Sequence, residues 1–297
     1  MSPKKRWIAG GGALAGLAAA AVTMRTATGR WHRRTAELVH RMAAVSEDLI
    51  VRDSAGPGAD DLPDPVRRYL HVALPEGPHP IRSARLASVG TFRQIVPDTP
   101  RLPESGWFPF TATQTVRSDP PAFVWAATMN LRPFVKVFVR DTYLEGRGSM
   151  QGSALGLVSV VDTAFAPELN AGALLRYLAE APWVPEILVP GPRLAWTPID
   201  GRHARATLTD GDTTVSVVFE FARSGDIVGV EAIRPRATSQ GYELTPWRGR
   251  FWQHELRGGR RIPVKAEVGW GLDGTDQLYW RGEIVTAEYD SIPSSAS

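Results

Sequence analysis

From Ile81 onward, apolar residues recur mostly at every second position, a pattern that is typical of β-strands. The segment Thr213–Phe221 shows it clearly, because Val215, Val217 and Phe219 share one face while polar side chains occupy most of the other. This alternation predicts strands with one face in a core and the other toward solvent.

Pairs of turn residues separate the alternating segments, as expected for antiparallel strands joined by tight turns. These pairs are Asp210-Gly211, Ser224-Gly225, Gly258-Gly259 and Asp273-Gly274. About five strands are predicted between Ile81 and Phe165, and about six between Ile199 and Tyr289. A sheet of about ten strands has to curl or close. The fold class that follows is α+β, with a large curled, half-barrel-like antiparallel sheet.

Some strands are apolar on both faces. Residues Phe123–Met129 contain almost no polar side chain, and the run around Val135–Val139 places Phe134 and Phe138 opposite its valines. A strand that is buried on both faces needs a covering element on each side. The sequence therefore predicts helices or loops against both faces of this part of the sheet.

One insertion interrupts the strand pattern. Residues 168–189 have apolar side chains at helical spacing, with Leu174, Leu175 and Leu178 on one face. Pro182 is predicted to end the first helix, and a second short helix follows. A helical pair between two sets of strands can cover the open face of a curled sheet, so we expect a lid.

The N-terminus carries an uncharged run, Trp7–Met24, between Lys4-Lys5-Arg6 and Arg25. The run predicts a single transmembrane helix that anchors the protein to a membrane. Both flanks of the run carry comparable Lys/Arg, so charge does not determine the membrane side, and we place the main domain outside the cytoplasm. A signal peptide cleaved near Ala18-Ala19-Ala20 is the alternative. Arg30–Val51 then predicts a helix that lies either on the membrane surface or against the main domain.

These patterns divide the chain into four parts. Residues 1–29 form the membrane anchor or signal segment, and residues 30–61 form a helix and a linker. Residues 62–290 form a single antiparallel-sheet domain that begins with a short helix near Pro65, and residues 291–297 form a tail.

Charge and cysteine content exclude several function classes. The first 41 residues carry a net charge of +7, which leaves −4 for the rest of a chain whose total is +3. A mildly acidic body argues against nucleic-acid binding. The absence of cysteine excludes thiol catalysis and disulfide scaffolds, and the six histidines show no metal-binding spacing. The sequence predicts no cofactor and no metal, and it favours a protein that is not an enzyme.

Two polar groups are candidates for a binding site. Arg140, Asp141 and Tyr143 follow an apolar strand and form either a polar patch at the mouth of a cavity or a charge network at a sheet edge. Arg176 and Glu180 are spaced to form an ion pair on one helix face. A lone buried Glu180 would instead have a raised pKa and could act as an acid or base.

Eight of the ten tryptophans lie in the body of the chain. They indicate either a core built from large side chains or an aromatic-lined pocket for an apolar ligand. Trp125, from a strand, and Trp183, from the lid, are the best candidates to line such a pocket, and Trp247 is a further one.

Several short motifs occur along the chain, and their order is part of the resemblance described below. The insertion contains RYLAEAPWVP over Arg176–Pro185, and the other motifs are Arg68-Tyr69-Leu70, Phe123-Val124-Trp125, Arg140-Asp141-Thr142-Tyr143, Gly146-Arg147-Gly148-Ser149-Met150, Trp196-Thr197-Pro198-Ile199-Asp200, Trp247-Arg248-Gly249 and Ile262-Pro263. Over residues 62–290 they resemble an uncharacterised bacterial family, a domain of unknown function. More remotely, the expected curled sheet with a helical lid resembles the lipoprotein carriers of the bacterial envelope. That resemblance implies an acyl chain held in a half-barrel.

Three functions remain open at this point. The leading hypothesis is a membrane-anchored, non-enzymatic envelope protein that holds an apolar, lipid-like ligand beneath residues 168–189. The second is a hydrolase or isomerase that uses Glu180 or Asp141 in the same cavity. The third is a structural or interaction module with a filled core. Protein partners are not predicted.

Overall fold

A computed structural model describes residues 4–44, 62–79, 81–93, 106–132, 135–163 and 166–291, with residues 4–18, 20 and 132 described by their backbone alone. Within these residues there are three α-helices, α1 (Lys4–Ala43), α2 (Asp64–Ala73) and α3 (Pro167–Ala179), and two short 3₁₀ helices, Ala181–Trp183 and Pro185–Leu188.

The described residues contain thirteen strands. They are β1 (Ile81–Arg93), β2 (Trp107–Arg117), β3 (Ala122–Arg132), β4 (Val135–Leu144), β5 (Arg147–Ala154), β6 (Val158–Asp162), β7 (Leu194–Pro198), β8 (His203–Asp210), β9 (Thr213–Phe221), β10 (Ile227–Thr238), β11 (Gly241–Arg257), β12 (Arg260–Leu272) and β13 (Thr275–Ser291). All belong to one antiparallel sheet in the order β6-β5-β4-β3-β2-β1-β13-β12-β11-β10-β9-β8-β7. The sheet is open, with β6 and β7 at its edges.

The predicted fold class is correct in its main features, and the strand number is corrected from about ten to thirteen. The edge strands β6 and β7 have five residues each, and β7 lies before the segment in which strands were expected. Such short strands carry too few residues for alternation to be distinguished from chance.

The helical insertion connects the two edges of the sheet. The chain leaves β6, forms α3 and the two 3₁₀ helices, and enters β7 at the opposite edge. The insertion therefore crosses the sheet, as predicted for a covering element, and its first helix ends at Ala179, before the predicted Pro182. The segment after α3 is 3₁₀ rather than α-helical, and a proline stands in the first turn of each short helix.

The interior of the sheet holds one large apolar core. Buried side chains of α2, α3 and strands from both halves of the sheet join it, among them Val66, Leu174 and Phe219. Tyr143 of β4 reaches Asp210 of β8, although these strands lie near opposite edges in the sheet order. The sheet therefore curls strongly around α3.

Helix α1 covers the outer face of the sheet. Met42 is buried against Ala122 and Val124 of β3, and Trp31 stacks on Phe138 of β4 with ring centroids 6.3 Å apart. The double-sided apolar pattern of β3 thus has its expected explanation, with α3 on one side and α1 on the other. Of the two placements considered for the second N-terminal helix, the one against the main domain is confirmed.

Helix α1 is continuous from Lys4 to Ala43, so it runs through the predicted boundary between the anchor and the second helix. Among the residues that the structure describes, no helix has the length and apolar character needed to cross a bilayer. The side chains of residues 7–18 and 20, which form most of the predicted anchor, lie outside that description. Residues 45–61, with most of the predicted linker, and the tail after 291 also lie outside it.

Candidate functional site

An ion cluster joins α3 to the inner face of the sheet. Arg176 contacts Asp141 of β4 at 2.6 Å and Glu180 at 2.9 Å. The second oxygen of Glu180 accepts a hydrogen bond from Gln114 of β2 at 2.8 Å. The three charged side chains are 13–19% exposed. Glu180 is therefore not the lone carboxylate that an acid or base would need, because both of its oxygens are held by donors.

Arg176 is the centre of this cluster. Its guanidinium lies 5.2 Å from the ring of Phe123 and 4.9 Å from that of Trp125, which adds cation–π contact to the ion pairs. Burial alone would lower the pKa of Arg176, but the two carboxylates outweigh burial and raise it. The side chain stays charged, and the cluster serves to hold the insertion against the sheet.

The polar residues of strand β4 lie on both faces of the sheet. Asp141 faces inward to Arg176, whereas Arg140 faces outward, where it donates to Thr35 of α1 at 3.0 Å and lies 4.6 Å from the ring of Trp31. Burial lowers the pKa of Arg140. Arg140 and Asp141 thus do not form one patch, and Arg140 does not line the interior, because neighbouring residues of a strand point to opposite faces.

Tyr143 belongs to a second network. Its hydroxyl donates to Asp210 at 2.8 Å, and Arg193 pairs with Asp210 at 3.0 Å and with Asp119 at 2.9 Å. Burial, followed by the hydrogen bond to Asp210, raises the pKa of Tyr143. The phenol therefore stays protonated and connects β4 to the end of β8.

Trp125 and Trp183 lie in a filled aromatic interior. Trp183 donates through Nε1 to the carbonyl of Pro263 at 2.9 Å and has ring centroids 6.1 Å from Phe251 and 6.0 Å from Trp280. Phe110 extends the row, at 5.9 Å from Trp280 and 6.1 Å from Trp125. Trp183 faces inward near strand aromatics, as expected, but these rings contact one another and leave the predicted pocket filled.

Among the described residues, two of the cavities lie elsewhere, and neither is lined by Trp125 or Trp183. The smaller, of about 280 Å³, is lined by charged side chains such as Glu220, Glu267 and Arg248. The larger, of about 520 Å³, lies between α3 and strands β9, β10 and β11. We call it the α3 groove. It is lined mostly by apolar residues, which include Ala171, Leu175, Val215, Ala232, Ile233, Pro235, Leu244, Pro246 and Trp247.

The α3 groove exists because the sheet divides there. Strands β9 and β10 pair only as far as Glu231, opposite Val218, and beyond that point β10 pairs with β11 alone. The resulting two-stranded arm, residues 232–246, leaves apolar side chains in solvent, with Ile233 59% and Leu244 70% exposed. The β10–β11 pairing places Ile233 and Leu244 on the face of the arm opposite to Trp247, so residues from both faces of the arm line the groove.

Of the predicted site residues, only Trp247 lines this groove. Ile233 and Leu244 were missed, because single apolar residues on strands give no sign that they face solvent. A signal was nevertheless present in Pro235 and Pro246. Proline cannot donate to a strand ladder, so two prolines in adjacent strands indicate edges without a partner.

The chain has weak similarity to two solved structures. It is similar to the LolA superfamily protein NE2245 from Nitrosomonas europaea, at 10% identity and a TM-score of 0.36, over 77% of this chain and 93% of that one. It is also similar to a β-barrel-like protein of the domain of unknown function DUF1849 from Brucella abortus, at 9% identity and a TM-score of 0.25, over 70% and 98%. Similarities this weak carry no conclusion about function.

No curated protein matches the chain. Residues 60–289, however, match DUF6920, a family of unknown function, which confirms the resemblance to an uncharacterised family. The match covers α2 and the sheet up to Tyr289, two residues before the end of β13, and includes the α3 groove. The chain belongs to the DUF6920 family.

Proposed function

We propose that this protein binds an apolar, lipid-like chain in the α3 groove without chemically changing it. The observation that carries the proposal is a groove of about 520 Å³ with an apolar lining and the exposed side chains Ile233 and Leu244. Ligand sites are usually concave and mostly apolar, and exposed apolar surface at such a site is a driving force for binding.

The groove replaces the cavity expected at Trp125 and Trp183, whose rings pack against other residues. The ligand would lie between α3 and the arm, with Leu175 and Trp247 as inner walls. Each methylene group that leaves water contributes about 0.8 kcal/mol, so affinity should rise about fourfold per added carbon until the groove is full.

Binding can be tested with a neutral fluorescent probe such as Nile red. Leu244→Ser removes an apolar side chain from the groove and should weaken saturable binding by about tenfold, since a buried leucine contributes about 1.5–3 kcal/mol. Leu256→Ser is the matched control, because Leu256 lies on the same strand, is 64% exposed and does not line the groove. Absence of saturable binding, or equal loss in both variants, would contradict the proposal.

We further propose that the N-terminal segment anchors the domain to a membrane, with the domain outside the cytoplasm. The charge of +7 around the run Trp7–Met24 supports the anchor, as do the exposed side chains of Val22 and Met24 on α1, whereas basic residues on both flanks of the run do not determine the membrane side. The full chain should remain in the membrane pellet after alkaline carbonate extraction. Complete release of a chain with an intact N-terminus would exclude the anchor.

A further inference from the structure

Arg234 of β10 lies in an aromatic cage. The carbon of its guanidinium is 5.5 Å from the ring centroid of Trp247 and 5.7 Å from that of Trp270. One terminal nitrogen donates to the hydroxyl of Tyr279 at 3.3 Å, and the same hydroxyl accepts from the indole of Trp247 at 2.9 Å. Aromatic faces stabilise the positive charge and hold the guanidinium plane in place.

Within the described part of the chain, this guanidinium has no acidic partner. Two nearby arginines do have an acidic partner. Arg236 on the arm pairs with Glu243 at 2.9 Å, and Arg248 pairs with Asp276 at 3.0 Å. Arg176, which has a comparable aromatic setting, has two. A cation among aromatic rings that lacks the carboxylate its counterparts possess is suited to an anion supplied from outside.

Two buried hydrogen-bond donors in the cage also lack acceptors. The Nε atom of Arg234 and the indole Nε1 of Trp270 are both shielded from water and make no hydrogen bond in the structure. Buried donors nearly always have partners, so two beside each other indicate a missing acceptor. The ring contact between the two side chains places these donors in the same cage.

The cage adjoins the α3 groove. Trp247 belongs to both, and Ala232, directly opposite Trp247 in the β10–β11 pairing, lines the groove on the same face of β10 as Arg234. On α3, Ala171 lines the groove, and a side chain added at the next residue, Gly172, would come within 3.9 Å of the Nε of Arg234. Arg234 itself does not line the groove, so a ligand in the groove would reach the guanidinium past Ala232 and Trp247.

We infer that Arg234 binds the carboxylate of a long-chain fatty acid whose hydrocarbon chain occupies the α3 groove. A carboxylate has one negative charge to match the single caged cation, and its two oxygens fit the fork of Nε and a terminal nitrogen. The indole of Trp270 supplies a third donor. This inference rests on the proposed function and specifies the ligand class.

The test measures how well hexadecanoic acid and its methyl ester displace Nile red from the full-length protein. The acid should bind at least tenfold more tightly than the ester. Arg234→Gln should remove that preference and leave the affinity for the ester within about twofold of the wild-type value. Retained binding of the ester shows that the variant is folded. Trp270→Phe, which keeps the ring and removes the donor, should weaken binding of the acid by a smaller factor.

Arg205 provides the control, because it also lines the groove but is exposed at its rim. Arg205→Gln should leave the preference for the acid nearly unchanged. If that preference depends on Arg205 instead, or if acid and ester bind the wild type equally, the role of Arg234 is wrong while the groove remains a ligand site. Tighter binding of hexadecyl phosphate than of the acid would also overturn the assignment. Failure of every ligand to bind would reject both proposals.

Discussion

Trp183 is a buried residue whose polar atoms all have hydrogen-bond partners. It is 4% exposed, its indole donates to Pro263, and its own carbonyl accepts from the hydroxyl of Tyr289 at 2.8 Å. Both the apolar surface and the polar atoms of the residue are therefore satisfied. A residue of this kind stabilises the fold whether or not a ligand is present.

Trp183→Ala should lower the free energy of unfolding by about 3–5 kcal/mol, the usual cost of removing a buried large aromatic side chain. Urea denaturation followed by circular dichroism measures it. Trp252→Ala is the matched control, because Trp252 is 42% exposed and should change stability by less than about 0.5 kcal/mol. A small effect at Trp183 would show that the lid is not packed as described.

His254 links stability to pH. Burial lowers the pKa of its imidazole below the ordinary value of 6.5, although Asp226 and a 2.9 Å hydrogen bond to the carbonyl of Ile227 act in the opposite direction. As the pH falls through 6.5, the unfolded chain takes up a proton before the folded protein does. The unfolding free energy should therefore decrease as the pH falls from 7 toward 5.

Urea denaturation at pH 7 and at pH 5 tests this link. The decrease in stability on acidification should be smaller in His254→Gln than in the wild type, because glutamine does not titrate. An equal decrease in both proteins would assign the acid sensitivity to other groups.

At the scale of elements, strand β9 was predictable and the arm of β10 and β11 was not. The alternation of Val215, Val217 and Phe219 predicts β9 with its observed limits, since one face is buried along its whole length. In β10 and β11 burial does alternate, but Ile233 and Leu244 occupy its exposed positions, next to the more buried Ala232 and Thr245, so an apolar side chain does not indicate the core face there. Where a strand pair separates depends on the whole sheet, and a local pattern does not contain that information.

Helix α1 is the element whose role was least evident from its sequence. Its last turns bury Met42 against β3, and the backbone carbonyl of Met42 accepts from Arg117 at 2.8 Å. This packing closes the outer face of β3, so the helix contributes to the stability of the domain.

Met42→Ala should destabilise the protein by about 2 kcal/mol or more, as for other buried methionines. Met24→Ala, on the same helix but 37% exposed, serves as the control and should have a small effect. Thermal or urea unfolding of the two variants gives the comparison. Equal stabilities would mean that α1 does not pack on the sheet in solution.

At the scale of the whole molecule, Tyr143 and Asp210 join strands that lie near opposite edges of the sheet. Their hydrogen bond contributes to holding the sheet in its curled form. Such a contact was beyond sequence analysis, because 67 residues separate the two partners and their motifs, Arg140-Asp141-Thr142-Tyr143 and the turn pair Asp210-Gly211, give no sign that they meet. The outward direction of Arg140 follows from strand alternation, and only its contact with α1 could not be predicted.

Tyr143→Phe removes only the hydroxyl and leaves a buried carboxylate without this donor. It should lower the free energy of unfolding by about 1.5–3 kcal/mol, the range for a hydrogen bond to a charged group. Tyr242→Phe, at a 39% exposed position on the arm, is the control and should be close to neutral. If Tyr143→Phe is also neutral, the contact does not stabilise the curled sheet.

The pairing of β1 with β13 has a consequence for how the chain folds. Every other neighbouring pair of strands is also adjacent in sequence, so the sheet consists of two local meanders joined by this single seam. Hairpins form quickly because their strands are close in sequence. The pairing of β1 with β13 is slower, because it closes a loop that contains the rest of the domain. The two meanders can therefore form early and independently, and the rate-limiting step of folding should be the meeting of the two ends of the domain.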